Sequence, residues 1–233
     1  MWLPKICGLL TASALLIGAN SANALELTID DLNVGASPEV TLDDTATPGI
    51  INYNSAVDGA VGGFSVVVST GFGDPVLGSG PNEAEIDLSV QAGSSGAGAL
   101  QVTLTDTDLS LANTGATGTA AAISSFSINA NSEGSSAVVE SFIRVGGGSF
   151  EALSTLAGLG EINLAETIRG TLGSGVLFDL RTVITLSYDK LGFATADANL
   201  SVAPVPLPAA LPLFLTALIG LGFVGRHRRR QAA

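Results

Sequence analysis

The chain has 233 residues, a net charge of −12, one cysteine and one histidine. All 21 acidic residues lie between positions 25 and 203, where four basic residues accompany them, so this region carries a net charge of −17. Such a charge repels nucleic acid. Because Cys7 and His227 both lie outside this region, disulfides, thiol chemistry, a Ser-His-Asp triad and a histidine zinc site are excluded within it.

The first 24 residues have the features of a secretory signal peptide. Lys5 supplies the positive charge, Ile6–Ile17 forms an apolar core, and Ala22-Asn23-Ala24 is a small-x-small cleavage site. We therefore predict a signal peptide over 1–24, with Ala22 and Ala24 as cleavage determinants. The Sec translocon and signal peptidase are the expected partners, and Leu25 is the expected mature N-terminus.

Residues 25–203 alternate between apolar and polar side chains with a period of two. In the longest run, Phe178, Leu180 and Ile184 share one face, and the other face carries Asp179, Arg181, Thr185, Ser187 and Asp189. Alternation of this kind is typical of antiparallel strands that are buried on one side. With glycine-rich separators it predicts eight to ten short strands in an all-β, antiparallel β-sandwich, jelly-roll-like in form. Only 151–170 resists assignment, and a short helix and an extended loop both remain open there.

Candidate sites in this region are few. Among the acidic clusters, Asp106 and Asp108 are the best calcium candidates, because calcium prefers several oxygen ligands, although they match no complete calcium-loop spacing. Solvated acids at strand ends are the alternative. We predict no catalytic residues, no bound cofactor and no enzymatic activity. Glycan binding stays open, but the region has no tryptophan, and its tyrosines are Tyr53 and Tyr188.

The C-terminal segment 204–233 is predicted to contain a short motif, a membrane helix and a basic stop-transfer sequence. The motif is Val205, Pro206, Leu207, Pro208 and Ala209, whose prolines block helix and central strand. The apolar run 209–225 would span roughly 25 Å as a helix, near the short limit for a bilayer. A basic tail, 226–233, holds the C-terminus in the cytoplasm; its arginines are Arg226, Arg228, Arg229 and Arg230.

This tail resembles the VPLPA-CTERM sorting signal, a variant of the PEP-CTERM family of exported bacterial proteins. The resemblance implies recognition and cleavage by an exosortase, a membrane-embedded cysteine protease, in Gram-negative bacteria that make extracellular polysaccharide. The region before the tail is also similar, diffusely, to a domain found ahead of such tails. That second similarity lies in Gly59–Gly80, with its Gly-Gly-Phe-Ser-Val-Val-Val-Ser-Thr-Gly run, and in Gly98–Asp108.

Together these features predict a non-enzymatic exported protein of the cell surface, extracellular matrix or biofilm. It would be anchored transiently in the inner membrane, N-terminus out and C-terminus in, before an exosortase-like protease releases it. The alternative is an envelope module that binds a glycan, such as extracellular polysaccharide, or calcium. A third interpretation keeps the chain as a permanently anchored membrane protein.

Overall fold

The computed structural model describes residues 24–35, 38–73, 83–111, 120–130, 134–157, 160–168, 172 and 175–204. They form twelve strands and one short helix. The strands are β1 (Ala24–Asp31), β2 (Val40–Asp43), β3 (Tyr53–Asn54), β4 (Phe64–Phe72), β5 (Ala84–Ser94), β6 (Gly98–Ser110), β7 (Ala120–Ala130), β8 (Ser135–Val145), β9 (Glu151–Ala157), β10 (Gly160–Ile168), β11 (Leu177–Tyr188) and β12 (Gly192–Pro204). Helix α1 covers Ser55–Asp58 and is capped by the side chain of Asn54.

The strands form two six-stranded sheets. The first sheet has the order β2-β1-β6-β11-β8-β9, and the second has the order β10-β7-β12-β5-β4-β3. All the pairings between these strands are antiparallel. The structure therefore confirms the predicted all-β antiparallel sandwich.

The core fills the space between the two sheets, as the period-two pattern requires. Strand β5 shows this, with Ile86, Leu88 and Val90 fully buried between half-buried polar neighbours. Strand β12 contributes a row of small residues, Ala194, Ala196 and Ala198, all buried. Apolar side chains from both sheets meet in one continuous cluster, which is the principal source of stability in such a fold.

Tyr188 belongs to this core, as its apolar phase predicts. It is 3% exposed, and its hydroxyl crosses between the sheets to donate to the carbonyl oxygen of Ala92 at 2.7 Å. Burial raises the pKa of Tyr188 to about 12. Its ring lies 5.9 Å from that of Phe64 on the second sheet. The hydroxyl satisfies a polar group that would otherwise be costly to bury.

Two expectations about the secondary structure are wrong. The segment 151–170 contains neither a helix nor one long loop but two strands, β9 and β10. The described residues also hold twelve strands rather than eight to ten. Both β9 and β10 lie at a sheet edge, and Leu156 is the single buried residue of β9, so the alternation of that strand is weak.

Both predicted targeting segments lie almost wholly outside the described residues. Of the signal peptide, only Ala24 is described, as the exposed first residue of β1. The sorting motif, the predicted membrane helix and the arginine tail lie at 205–233, also outside. Within the part of the chain that is described, no helix is long and apolar enough to cross a membrane.

Candidate functional site

The acidic pairs near strands β1 and β2 cap turns. Asp31 accepts hydrogen bonds from the backbone and side-chain nitrogens of Asn33, at 3.0 and 2.6 Å. Asp43 accepts from the backbone and hydroxyl of Thr45, which lowers the pKa of Asp43. Burial, with the carboxylates of Glu39 and Asp31 nearby, raises the pKa of Asp30. Asp31 and Asp43 therefore accept hydrogen bonds from backbone N–H groups at places where the chain turns.

The two calcium candidates occupy different environments. Asp106 is fully buried; one of its carboxylate oxygens lies 2.5 Å from where a β-carbon on Gly73 would stand. Asp108 is half-buried at a bulge, with a φ of 61°, and its backbone nitrogen donates to Asp179. No group of three or more acidic, histidine or cysteine side chains in the described ranges could hold a metal ion. The described residues around Asp106 and Asp108 therefore show no coordination geometry that would support the calcium hypothesis.

The bulge forms one wall of a cavity that we name the arginine corner. It is lined by Thr107, Asp108, Arg144, Gly146, Gly147, Leu177 and Asp179, with a volume of about 620 Å³. The guanidinium of Arg144 pairs with Asp179, whose side chain is 10% exposed. Arg144 and Arg181 also lie 4.6 and 3.7 Å from the ring centre of Phe150. Burial, and then the charge of Arg144, lower the pKa of Arg181.

A second depression lies on the outer face of the second sheet, where β7, β12 and β5 run side by side. It measures about 160 Å³ and is lined by Asp87, Ser125, Phe126, Ser127, Asp197, Ala198 and Asn199. The register explains this grouping, because Asn199 pairs with Ser125 on one side and Asp87 on the other. We call this surface, residues 87, 125, 127, 197 and 199, the polar face.

Neighbouring strands hold these side chains in place. Asp197 accepts a short hydrogen bond from the hydroxyl of Ser89, and the amide of Asn199 donates to Glu85 at 2.6 Å. Carboxylate, amide and hydroxyl groups therefore stand in rows on a rigid sheet. The hydroxyl and amide groups both donate and accept hydrogen bonds, and the carboxylates accept them, which suits a ligand rich in hydroxyls.

An aromatic side chain stands on the same face of β12. Phe193 is 40% exposed and pairs in register with Gly93, and one of its ring carbons lies 3.8 Å from where a β-carbon on Gly93 would stand. Phe193 and Asp197 are four positions apart on β12, so both point outward, about 13 Å from each other along the strand. An apolar ring at one end and polar groups further along make a surface for an elongated ligand.

Sequence reasoning did not find the polar face. Its residues come from three strands that are distant in sequence, and each alone looks like an ordinary solvated position. The signal that could have found it is the outward phase of β12, which carries Phe193, Asp197 and Asn199. Phe193 was not predicted, because the expectation about glycan binding rested on tryptophan and tyrosine.

No protein-family model matches the sequence, and no curated protein matches it. Among solved structures, the chain is similar to TmCBM61 in complex with β-1,4-galactotriose, at 9% identity and a TM-score of 0.31, over 62% of this chain and 90% of that one. It is also similar to the CBM22-1 xylan-binding domain of Paenibacillus barcinonensis Xyn10C, at 13% identity and a TM-score of 0.26, over 76% and 94% of the two chains. It is similar as well to the structure of the infectious bursal disease virus Gx strain, at 13% identity and a TM-score of 0.31, over 78% of this chain and 55% of that one. At these scores, none bears on what this chain binds.

Proposed function

We propose that the chain is a non-enzymatic exported protein of the bacterial envelope or matrix whose sandwich binds a neutral polysaccharide on the polar face. The observation that carries this proposal is the alignment of Phe193 with Asp197 and Asn199 on the outward side of β12. A sugar ring stacks its apolar face on the phenyl group, and sugar hydroxyls exchange hydrogen bonds with the carboxylate and amide.

Charge selects the class of glycan. The region 25–203 has a net charge of −17, and the polar face itself contains Asp87 and Asp197 but no cation. An anionic polymer would therefore be repelled at long range and again at the site. A shallow surface with one aromatic ring supports weak binding of about 4–6 kcal/mol, or a Kd of roughly 0.05–1 mM, and repeated copies at a surface would strengthen it.

Binding to neutral and acidic polysaccharides, measured by affinity electrophoresis and calorimetry, tests this proposal. We expect retardation by a neutral glycan, at least a tenfold loss with Phe193→Ala, and a similar loss with Asp197→Ala. Leu191→Ala is the matched control, because Leu191 is an exposed apolar residue of the same hairpin at 72% exposure. Equal binding by all three variants, or no binding to any glycan, rules the site out.

The second part of the proposal concerns export and sorting, and it rests on the sequence. The signal peptide directs residues 25–203 out of the cytoplasm, and the helix 209–225 with its arginines holds the tail in the membrane. An exosortase-like protease then cuts within 205–209. The motif begins one residue after β12 ends at Pro204, so this cut spares the sandwich.

Mass spectrometry of the surface form tests sorting directly. We expect a C-terminus within 205–209 and no arginine tail. Replacing Pro206 and Pro208 with alanine should leave the uncut chain in the membrane, whereas replacing the nearby Pro212 preserves the motif and serves as the control. An intact arginine tail on the surface form, or normal processing of the double variant, contradicts the assignment.

A further inference from the structure

The backbone nitrogen of Leu25 donates to a buried carboxylate. It lies 3.3 Å from Oδ1 of Asp44, while Oδ2 of Asp44 accepts from the backbone nitrogen of Gly49 at 2.7 Å. In return, the nitrogen of Asp44 donates to the carbonyl oxygen of Leu25 at 3.2 Å. Asp44 is 7% exposed and Leu25 is fully buried. These contacts join the start of β1 to the residue that follows β2.

The predicted signal-peptidase bond is the one that precedes Leu25. Cleavage there converts a neutral amide, which can give the carboxylate a single hydrogen bond, into an α-ammonium with three donors and a positive charge. The bond from the Thr107 hydroxyl to the carbonyl of Ala24, at 3.3 Å, is lost with Ala24. Cleavage therefore removes the long hydrogen bond between Thr107 and Ala24, whose partners are neutral, and replaces the neutral contact between Leu25 and Asp44 with a charged pair.

We propose that removal of the signal peptide creates an ammonium at Leu25 that docks on the Asp44 carboxylate, so that processing itself fastens the first strand to the mature domain. The proposal rests on the export part of the proposed function and is independent of the polar face. It makes the mature domain more stable than its precursor, because the ion pair exists only after cleavage.

The surroundings favour the charged amine. The strands packed against Leu25 are β1, β2 and β6, and Asp106 on β6 is opposite Leu25 in register. All the titratable groups on these strands are acidic: Glu26, Asp30, Asp31, Asp43, Asp106 and Asp108. The cation on β11, Arg181, interacts with Glu26. Charge pairing therefore opposes the desolvation that would otherwise discourage an ammonium here.

Titration of the amine tests the docking. The full chain is exported from a Gram-negative host and purified with its tail, and N-terminal sequencing identifies the mature terminus. Acetic anhydride labelling between pH 6 and pH 11 then follows the N-terminal peptide by mass spectrometry. An ordinary α-amine titrates at about 7.7–8.0, and we expect the docked amine to titrate at least about one pH unit higher. The same amine in urea supplies the unfolded reference.

Two variants isolate the contact. Asp44→Asn removes the charge that faces Leu25, and we expect the midpoint to return to near 8. Asp43→Asn removes an equal charge from the adjacent residue, whose carboxylate accepts from Thr45, and should leave most of the shift in place. Because the docked amine titrates above its unfolded value, its stabilisation is present below about pH 8 and is lost as the pH rises through the docked midpoint.

Three results would overturn the inference. One is a mature terminus other than Leu25, which leaves the polar face proposal standing. Another is a midpoint equal in the folded and urea-unfolded protein, a comparison that holds even if Asp44→Asn fails to fold. The third is an equal shift with Asp43→Asn and Asp44→Asn, which would assign the effect to general charge.

Discussion

Replacing Tyr188 with phenylalanine removes one hydroxyl from the middle of the sandwich and leaves the ring in place. The hydroxyl belongs to the first sheet and its acceptor, the carbonyl oxygen of Ala92, to the second, at 2.7 Å. Both residues are buried, so no water replaces the lost donor. A bond of this kind contributes about 1–2 kcal/mol, and for a domain of this size each kcal/mol lowers Tm by about 2–4 °C.

The raised pKa of Tyr188 also predicts how the stability of the domain depends on pH. The pKa of Tyr188 rises from 10.0 to about 12 on folding, so the neutral phenol is favoured in the folded state. The wild-type stability is therefore intact below pH 10 and falls as the pH rises toward about 12. Phenylalanine has no proton to lose. We would measure the free energy of unfolding in urea at pH 7 and between pH 9 and 12. The wild type should be more stable than Tyr188→Phe at pH 7, and this difference should shrink as the pH rises.

Tyr53→Phe is the matched control. The hydroxyl of Tyr53 also donates to a carbonyl, that of Gly59 at 2.6 Å, but Gly59 is exposed and six residues away along the chain. Water can take over that acceptor, so we expect a loss of about 0.5 kcal/mol or less. Equal losses from the two variants at pH 7 would refute the claim that burial of the acceptor sets the magnitude.

Two further stability predictions follow from close contacts. A β-carbon on Gly73 would stand 2.5 Å from a carboxylate oxygen of Asp106, so Gly73→Ala should cost about 1–3 kcal/mol; Gly96→Ala, with nothing within 4 Å, should stay within about 0.5 kcal/mol in the same thermal scan. Arg144→Gln removes the charge partner of Asp179, a side chain only 10% exposed, and should cost about 1–2 kcal/mol by urea unfolding; a loss below 0.5 kcal/mol, the surface ion-pair value, contradicts it.

The inward faces of the long strands could be predicted from the sequence because one physical rule decides them. On β11, Phe178, Leu180 and Ile184 were assigned to one face, and all three are buried. On β12, Ala194, Ala196 and Ala198 follow the same alternation, and they too are buried. A period of two leaves no other way to hide an apolar row on a strand.

The edge strands could not be predicted, because that rule weakens where one face is only partly covered. In β9, Leu156 is buried but Leu153 is only half-buried, and the half-buried Ser154 and the exposed Thr155 lie between them. The pairing of β9 with β8 also shifts between Ser141 and Phe142, which breaks the alternation. Neither feature is visible without the partner strand.

The polar face depends on register in the same way, and its position on β12 relates the proposed binding to the proposed processing. This strand is hydrogen-bonded on both sides, to β5 and to β7, as far as Val202. Phe193, Asp197 and Asn199 are therefore held by ladders that end just before the predicted sorting motif. A cut within 205–209 leaves those ladders whole, whereas a cut before Leu200 would remove side chains that are fully buried. The proposed cleavage would therefore leave β12 and the polar face intact in the released domain.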